Sequence, residues 1–283
     1  MTDKPFTEYY RDKIEEKKAG KIFTCFIFLV IIVFGMLFAI NYDFNQKYTY
    51  VSINGMSMQP TLNPDPYIDG ISQQAIQDGV YIRNTQDVDY GEIIILENVI
   101  KDKTIIKRVL ALGGDYISIV KVEDDGASEF RILRMKDGSN QIEIIEEDYI
   151  LSYRSWVNMY YNEDLTTPQD PQTDVVYEPA FYSKFDGDGY ESRIVTVSGL
   201  GGQDVKMYKV PENNVFFLGD NRAYSQDSRA LGTTTTENIM GSVVKIVRNG
   251  ADYEGNVWWQ FNRFKGYISV IWDNILRFFG ADI

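Results

Sequence analysis

A serine sits between two methionines, Met56-Ser57-Met58, with Gly55 before it and Gln59-Pro60-Thr61-Leu62 after it. A serine hydroxyl becomes a nucleophile only when a base takes its proton. The chain has no histidine in 283 residues. That removes the Ser-His-Asp triad, Cys-His dyads, His-ligated zinc and imidazole relays in one step. The base must be Lys, Asp, Glu or Tyr. A lysine serves only as the neutral amine. Burial must then lower a pKa that starts near 10.4 by roughly two to three, about 3–4 kcal/mol against the charged form. Lys107 is the candidate. It interrupts the apolar strand pattern Thr104–Leu112, where a lysine is out of place. Arg108 points to the opposite face of a regular strand.

A third stretch, Phe217–Gly232, follows another apolar run and packs Asp220, Asn221, Arg222, Ser225, Asp227, Ser228 and Arg229 into a turn. Asp227 and Arg229, two apart, fall on one side of an extended chain and can pair. The Ser225 hydroxyl can hydrogen-bond a lysine amine. Pro60 fixes its own φ and biases Gln59 toward an extended backbone.

These residues need a scaffold and a compartment. Net charge is −13, which argues against a nucleic-acid partner. Aromatic residues reach 14%, with 20 Tyr, and favour strands. The single cysteine, Cys25, allows neither an intrachain disulfide nor a cysteine metal site. Residues 22–40 carry no charge and reach about 28 Å as a helix, close to the hydrocarbon thickness of a bilayer. Lys17, Lys18 and Lys21 precede this run, and only Lys47 follows it closely. The positive-inside rule puts the N-terminus in the cytoplasm and the rest outside. Leu37-Phe38-Ala39 lacks a small residue at −3 for signal cleavage, so the run reads as a retained single-pass anchor.

The rest reads as mainly β. A strand is expected within 44–53, then short runs at Val80–Arg83, Glu92–Leu96, Thr104–Leu112 and Tyr116–Val122. Phe130–Met135 and Ile142–Ile145 follow within a Tyr-, Asp- and Gly-rich region. The compact pattern returns at Lys206–Val210, Val215–Leu218 and Ile239–Val247. The expected organisation is a cytoplasmic tail at 1–21, an anchor at 22–40 and a catalytic core at 41–122 and 205–248. An inserted β subdomain at 123–204, in which no chemistry is found, interrupts that core, and an aromatic-rich amphipathic segment fills 249–283. Within the last, Ser269, Asp273 and Arg277 form one narrow polar stripe on a helix. Trp258, Trp259 and Trp272 suit a membrane interface. The segment is expected either to lie on the bilayer or to pack on protein.

In order and spacing, the three polar stretches resemble the bacterial type I signal peptidases, serine proteases of the Ser-Lys dyad kind. Gly55–Leu62 resembles their nucleophile box. Lys107-Arg108-Val109 with Gly114-Asp115 resembles the lysine box, and Gly219–Arg229 matches GDNR-x-x-S-x-D-S-R. Gly91–Ile94 and Ile239–Val243 resemble the strands beside these boxes. The resemblance covers about 43–115 and 211–248. It implies a coiled antiparallel β-sheet core with Ser57 as nucleophile and Lys107 as general base. It further implies that Ser225 orients the amine, that Asp227 and Arg229 hold the loop, and that Arg108 is structural. The Ser57 N–H would be one oxyanion donor. The implied substrates are signal peptides of preproteins, held extended near Ser52–Gly55, with membrane lipid alongside and no metal or cofactor. The pattern departs from the family at Gly55, where some members have a serine that completes the oxyanion hole, and at Ala111 and Gly113, where Gly and Pro are usual. Eukaryotic and archaeal relatives generally use histidine for the lysine. Two alternatives stand beside this reading: a catalytically silent anchored scaffold, and a peptidase dedicated to pilus or surface-assembly subunits. Oligomeric state is unreadable from the sequence.

Overall fold

The computed structural model describes residues 6–64, 77–124, 127–150, 175–187, 189–248, 250 and 259–280. The expected polar loop Asp164–Thr173 and Trp258 lie outside these residues.

Helix α1 runs from Phe6 to Lys47. It is long and apolar enough to cross a membrane. The charged tail is one with it from Phe6 on, and it continues past the expected end at residue 40. Phe44–Lys47 are helical, not part of the expected strand. Lys47 donates to Asp43 one turn earlier at 2.9 Å, and Asn45 to Asn41 at 3.4 Å. Such i,i+4 pairs favour another helical turn over extension.

The chain divides into two compact units, residues 1–48 and 49–283. The second is built on two antiparallel sheets. The first sheet holds β1 (Tyr48–Ser52), β2 (Gly79–Arg83), β3 (Ile93–Ile100), β4 (Lys103–Leu112), β10 (Asn214–Leu218), β11 (Thr234–Thr235) and β12 (Ile239–Val247). Its order is β1-β2-β12-β3-β4-β10-β11. The second holds β5 (Tyr116–Asp124), β6 (Ala127–Met135), β7 (Ile142–Ile144), β8 (Ser192–Val197) and β9 (Gln203–Lys209), ordered β7-β6-β5-β9-β8. The expected boundaries at 122/123 and 204/205 thus fall inside β5 and β9. Both strands alternate apolar residues to the two faces of one sheet, and composition does not change along them.

Runs rich in Ile and Val make the strands, because branched side chains pack well on a pleated surface. Ile117, Ile119 and Ile132 of the second sheet meet Leu110, Phe216 and Leu218 of the first in one core. Val120, Leu133, Val205 and Met207 build a second core. Helix α2 (Pro179–Gly187) drives Phe181 and Phe185 into the first of these. It starts on Pro179 at a position that needs no N–H donor, and the Glu178 carboxylate accepts from the Phe181 amide at 2.6 Å. Helices α3 (Ser228–Leu231) and α4 (Trp259–Phe278) complete the described elements.

Candidate active site

Ser57 and Lys107 meet. The Lys107 ammonium nitrogen Nζ lies 3.0 Å from the Ser57 hydroxyl oxygen and donates to the Ile106 carbonyl at 2.7 Å. Lys107 is only 3% exposed. Burial drives its pKa down to about 8, against the upward pull of the Asp227 and Asp220 charges; Arg229 adds a further downward push. The amine is therefore half neutral near that pH, as a general base must be.

Strand β4 carries Lys107 to Ser57, and Arg108 leaves by the other face. Arg108 forks onto Asp220 (Nε to Oδ1 2.9 Å, Nη2 to Oδ2 2.6 Å) and donates to the Gly91 carbonyl at 2.8 Å. The ring of Tyr149 lies 3.9 Å from its guanidinium carbon.

The serine loop is a compact turn, not an extended run. Gln59 N–H donates to the Met56 carbonyl at 3.2 Å, and Leu62 N–H to that of Met58 at 2.9 Å. The cause is burial of Met58 and Leu62 with Ile53, Val80, Ile82, Ile95 and Ile106 in one cluster, which outweighs the local bias before Pro60. Gly55 has φ +91°, a conformation L side chains rarely adopt. A serine hydroxyl at this position would need a different backbone.

Val51–Asn54 on one side and Thr104–Lys107 on the other line a groove of about 210 Å³ that contains Ser57. Three strands separate β1 from β4 in the sheet order, so both ends reach one groove only because the sheet is strongly coiled.

The loop from Gly219 to Gly232 closes the site from behind. Asn221 N–H donates to the Ser57 carbonyl at 3.1 Å, and Thr61 hydroxyl to Asp220. A side chain at Gly219 would collide with the Ser57 carbonyl and the Ser225 hydroxyl, so only glycine lets the loop lie this close. Asp227 accepts from Arg229 Nε and Nη2, both at 2.9 Å, and from Gly219 N–H at 3.1 Å. It also caps α3. Burial raises the Asp227 carboxyl, but the adjacent Arg229 guanidinium more than offsets this and holds it below the usual carboxylate value. Ser225 is fully buried, and its hydroxyl stabilises the Asp227 carboxylate.

Sequence reasoning missed two sets of supports. Asn63 donates to the Ile53 and Gly55 carbonyls at 3.0 and 2.9 Å, and its own N–H donates to Asp78 at 2.9 Å. Arg248 donates to the same Asp78 carboxylate at 2.6 Å. These bonds latch both ends of the serine loop. The second set comes from within residues 123–204, where the sequence shows no chemistry. Glu147, buried, takes both ends of the Arg222 guanidinium, one at 2.9 Å, and Tyr149 donates to it at 2.6 Å. Arg222 Nε in turn donates to the Gly219 carbonyl at 3.0 Å. No local signal marks this acid, because its partner Arg222 lies 75 residues away in sequence.

Against known proteins, the family model described as "Signal peptidase, peptidase S26" matches residues 21–247. The chain belongs to this signal peptidase family. A curated relative, signal peptidase I of Buchnera aphidicola subsp. Schizaphis graminum (strain Sg), is 26% identical over 172 residues, 55% of this chain and 52% of the relative. The chain thus spans about half the length of that relative. Among solved structures it is similar to a signal peptidase I from Enterococcus faecalis V583, at 20% identity and TM-score 0.28, covering 55% of this chain and 96% of that one. The match to the family spans all three polar stretches, and the mainly β, antiparallel fold with its apolar N-terminal helix agrees with the sequence expectation.

Proposed function

We propose that this chain is a membrane-anchored type I signal peptidase, a serine endopeptidase that releases signal peptides from exported preproteins. The observation that carries the reading is the dry Lys107 amine 3.0 Å from the Ser57 hydroxyl. The extended substrate lies in the groove beside Ser52–Gly55. Neutral Lys107 takes the Ser57 proton as Oγ attacks the scissile carbonyl. The tetrahedral oxyanion accepts from the Ser57 N–H, one donor of a hole to which Gly55 brings no side chain. Lys107 then gives its proton to the leaving amine, the C–N bond breaks, and an acyl-serine remains. Water, losing a proton to the same amine, attacks that ester; the acyl C–O bond breaks and Lys107 returns the proton to Ser57 Oγ. Ser225 and Asp227 keep the amine's surroundings fixed; Asp220, Arg108 and Arg229 hold the loop. Helix α1 is the anchor, with the cationic side in the cytoplasm and residues 41–283 outside.

Incubating the purified chain with a preprotein, beside Ser57→Ala and Lys107→Ala, tests this. Cleavage by the parent and not by either variant supports the dyad. An inert parent favours the silent-scaffold alternative.

A further inference from the structure

Helix α4 is held to the folded unit along one side only. Val270 is buried, and Asp273 accepts from Lys245 of β12 at 2.6 Å. The middle of the polar stripe foreseen from the sequence therefore faces protein. On the far side, Ile268, Ile271, Trp272, Ile275, Phe278 and Phe279 are exposed, the last two by 85% and 79%. At 3.6 residues per turn these six fall within about 120° of arc, the width of an apolar face built for burial.

We infer that this face of α4 lies on an anionic lipid surface. Three observations choose lipid over another occupant. Exposed Lys265 flanks this face, and the one acid of the helix, Asp273, turns away from it toward Lys245, while the whole chain stands at −13. A cationic helix on an acidic protein complements anionic headgroups. Trp272, more than half exposed, has the amphipathic ring that headgroup regions favour. Helix α1, if it spans as proposed above, keeps a bilayer at high effective concentration for every other part of the chain. The inference rests on that anchoring, and α4 serves as a second, shallow attachment.

The test uses the full chain with Cys25→Ala, reconstituted in phosphatidylcholine vesicles with and without roughly a third phosphatidylglycerol. Single cysteines at Ile275 on the apolar face, Leu29 in α1 and Ile194 on the exposed part of β8 carry a fluorophore read against acyl-chain quenchers. The expected result places the Ile275 label about 5–10 Å below the headgroups, more fully with anionic lipid, the Leu29 label near the bilayer centre and the Ile194 label in water. A quenched Leu29 label with an unquenched Ile275 label overturns the inference and leaves the anchor standing. Both labels in water overturn the anchor, and the inference with it. Cross-linking between Ile275→Cys copies without acyl quenching assigns the face to a second copy and also overturns it.

Discussion

The groove and the loop behind it both bury a cation, and they treat it in opposite ways. Arg229 has no exposed surface and forks onto the equally buried Asp227. Lys107 is almost as dry, but its nitrogen donates to a hydroxyl and a carbonyl, both neutral. Arg229 keeps its charge, and Asp227 stays ionised against its own desolvation. Lys107 sheds its proton near pH 8. Dryness alone does not set protonation; what matters is whether a carboxylate stands in hydrogen-bonding contact. The same two acids that hold the loop, Asp227 and Asp220, act on Lys107 only through longer-range charge, and burial wins.

The contrast can be broken at several points. Lys107→Ala removes the base and is expected to lower kcat on the order of 10³-fold or more. In the parent, kcat/KM should rise through an apparent pKa near 8; a profile flat from about pH 6 to 10 excludes Lys107 as the base. Asp227→Asn leaves the buried Arg229 with Glu178, 3.8 Å away, as its remaining acid, and thermal or denaturant unfolding should reveal a loss of about 3–5 kcal/mol. The remaining activity should titrate at lower pH, since a charge that raises the Lys107 pKa is gone. A loss under about 1 kcal/mol would mean the pair does not hold the loop.

Lys107→Met tests the cost of the dry amine. The folded pKa near 8 lies below the ordinary lysine value of 10.5. Between these pH values the unfolded chain binds a proton that the folded chain lacks, so parent stability rises with pH across that window. The drop corresponds to about 3 kcal/mol, less about 1 for the Ile106 carbonyl left without its donor, so the methionine variant should be about 2 kcal/mol more stable at pH 7. That gap should close toward pH 10.5; no gap at pH 7 would mean the charged amine is well accommodated. Gly55→Ala, with open space around the new methyl, meets only backbone strain and should cost about 1–2 kcal/mol.

Much of this was legible in the sequence because it was written locally. Ile and Val runs announced most strands of the first sheet, and a lone lysine in one of them stood out as the residue that meets Ser57. Other parts depend on partners far along the chain. Asn63 looks like any turn residue until Asp78 is brought beside it. Glu147 and Tyr149 look like a solvated bend, because Arg222 lies 75 residues away in sequence. Helix α2 was missed because Tyr, Asp and Gly around it dilute the signal from Phe181 and Phe185, four apart; Pro179 as a start residue was the clue. The Ser225 hydroxyl also stabilises the Asp227 carboxylate, a contact that spacing alone does not reveal.

The Asn221 amide reaches the Ser57 carbonyl, and Arg108 grips Asp220 across 112 residues. A ribosome finishes the serine and the lysine long before it finishes the segment that shuts water away from them. Until that segment docks, the amine stays charged and the hydroxyl inert. Under the function proposed above, a half-made chain of this design is thus unarmed by order of synthesis alone.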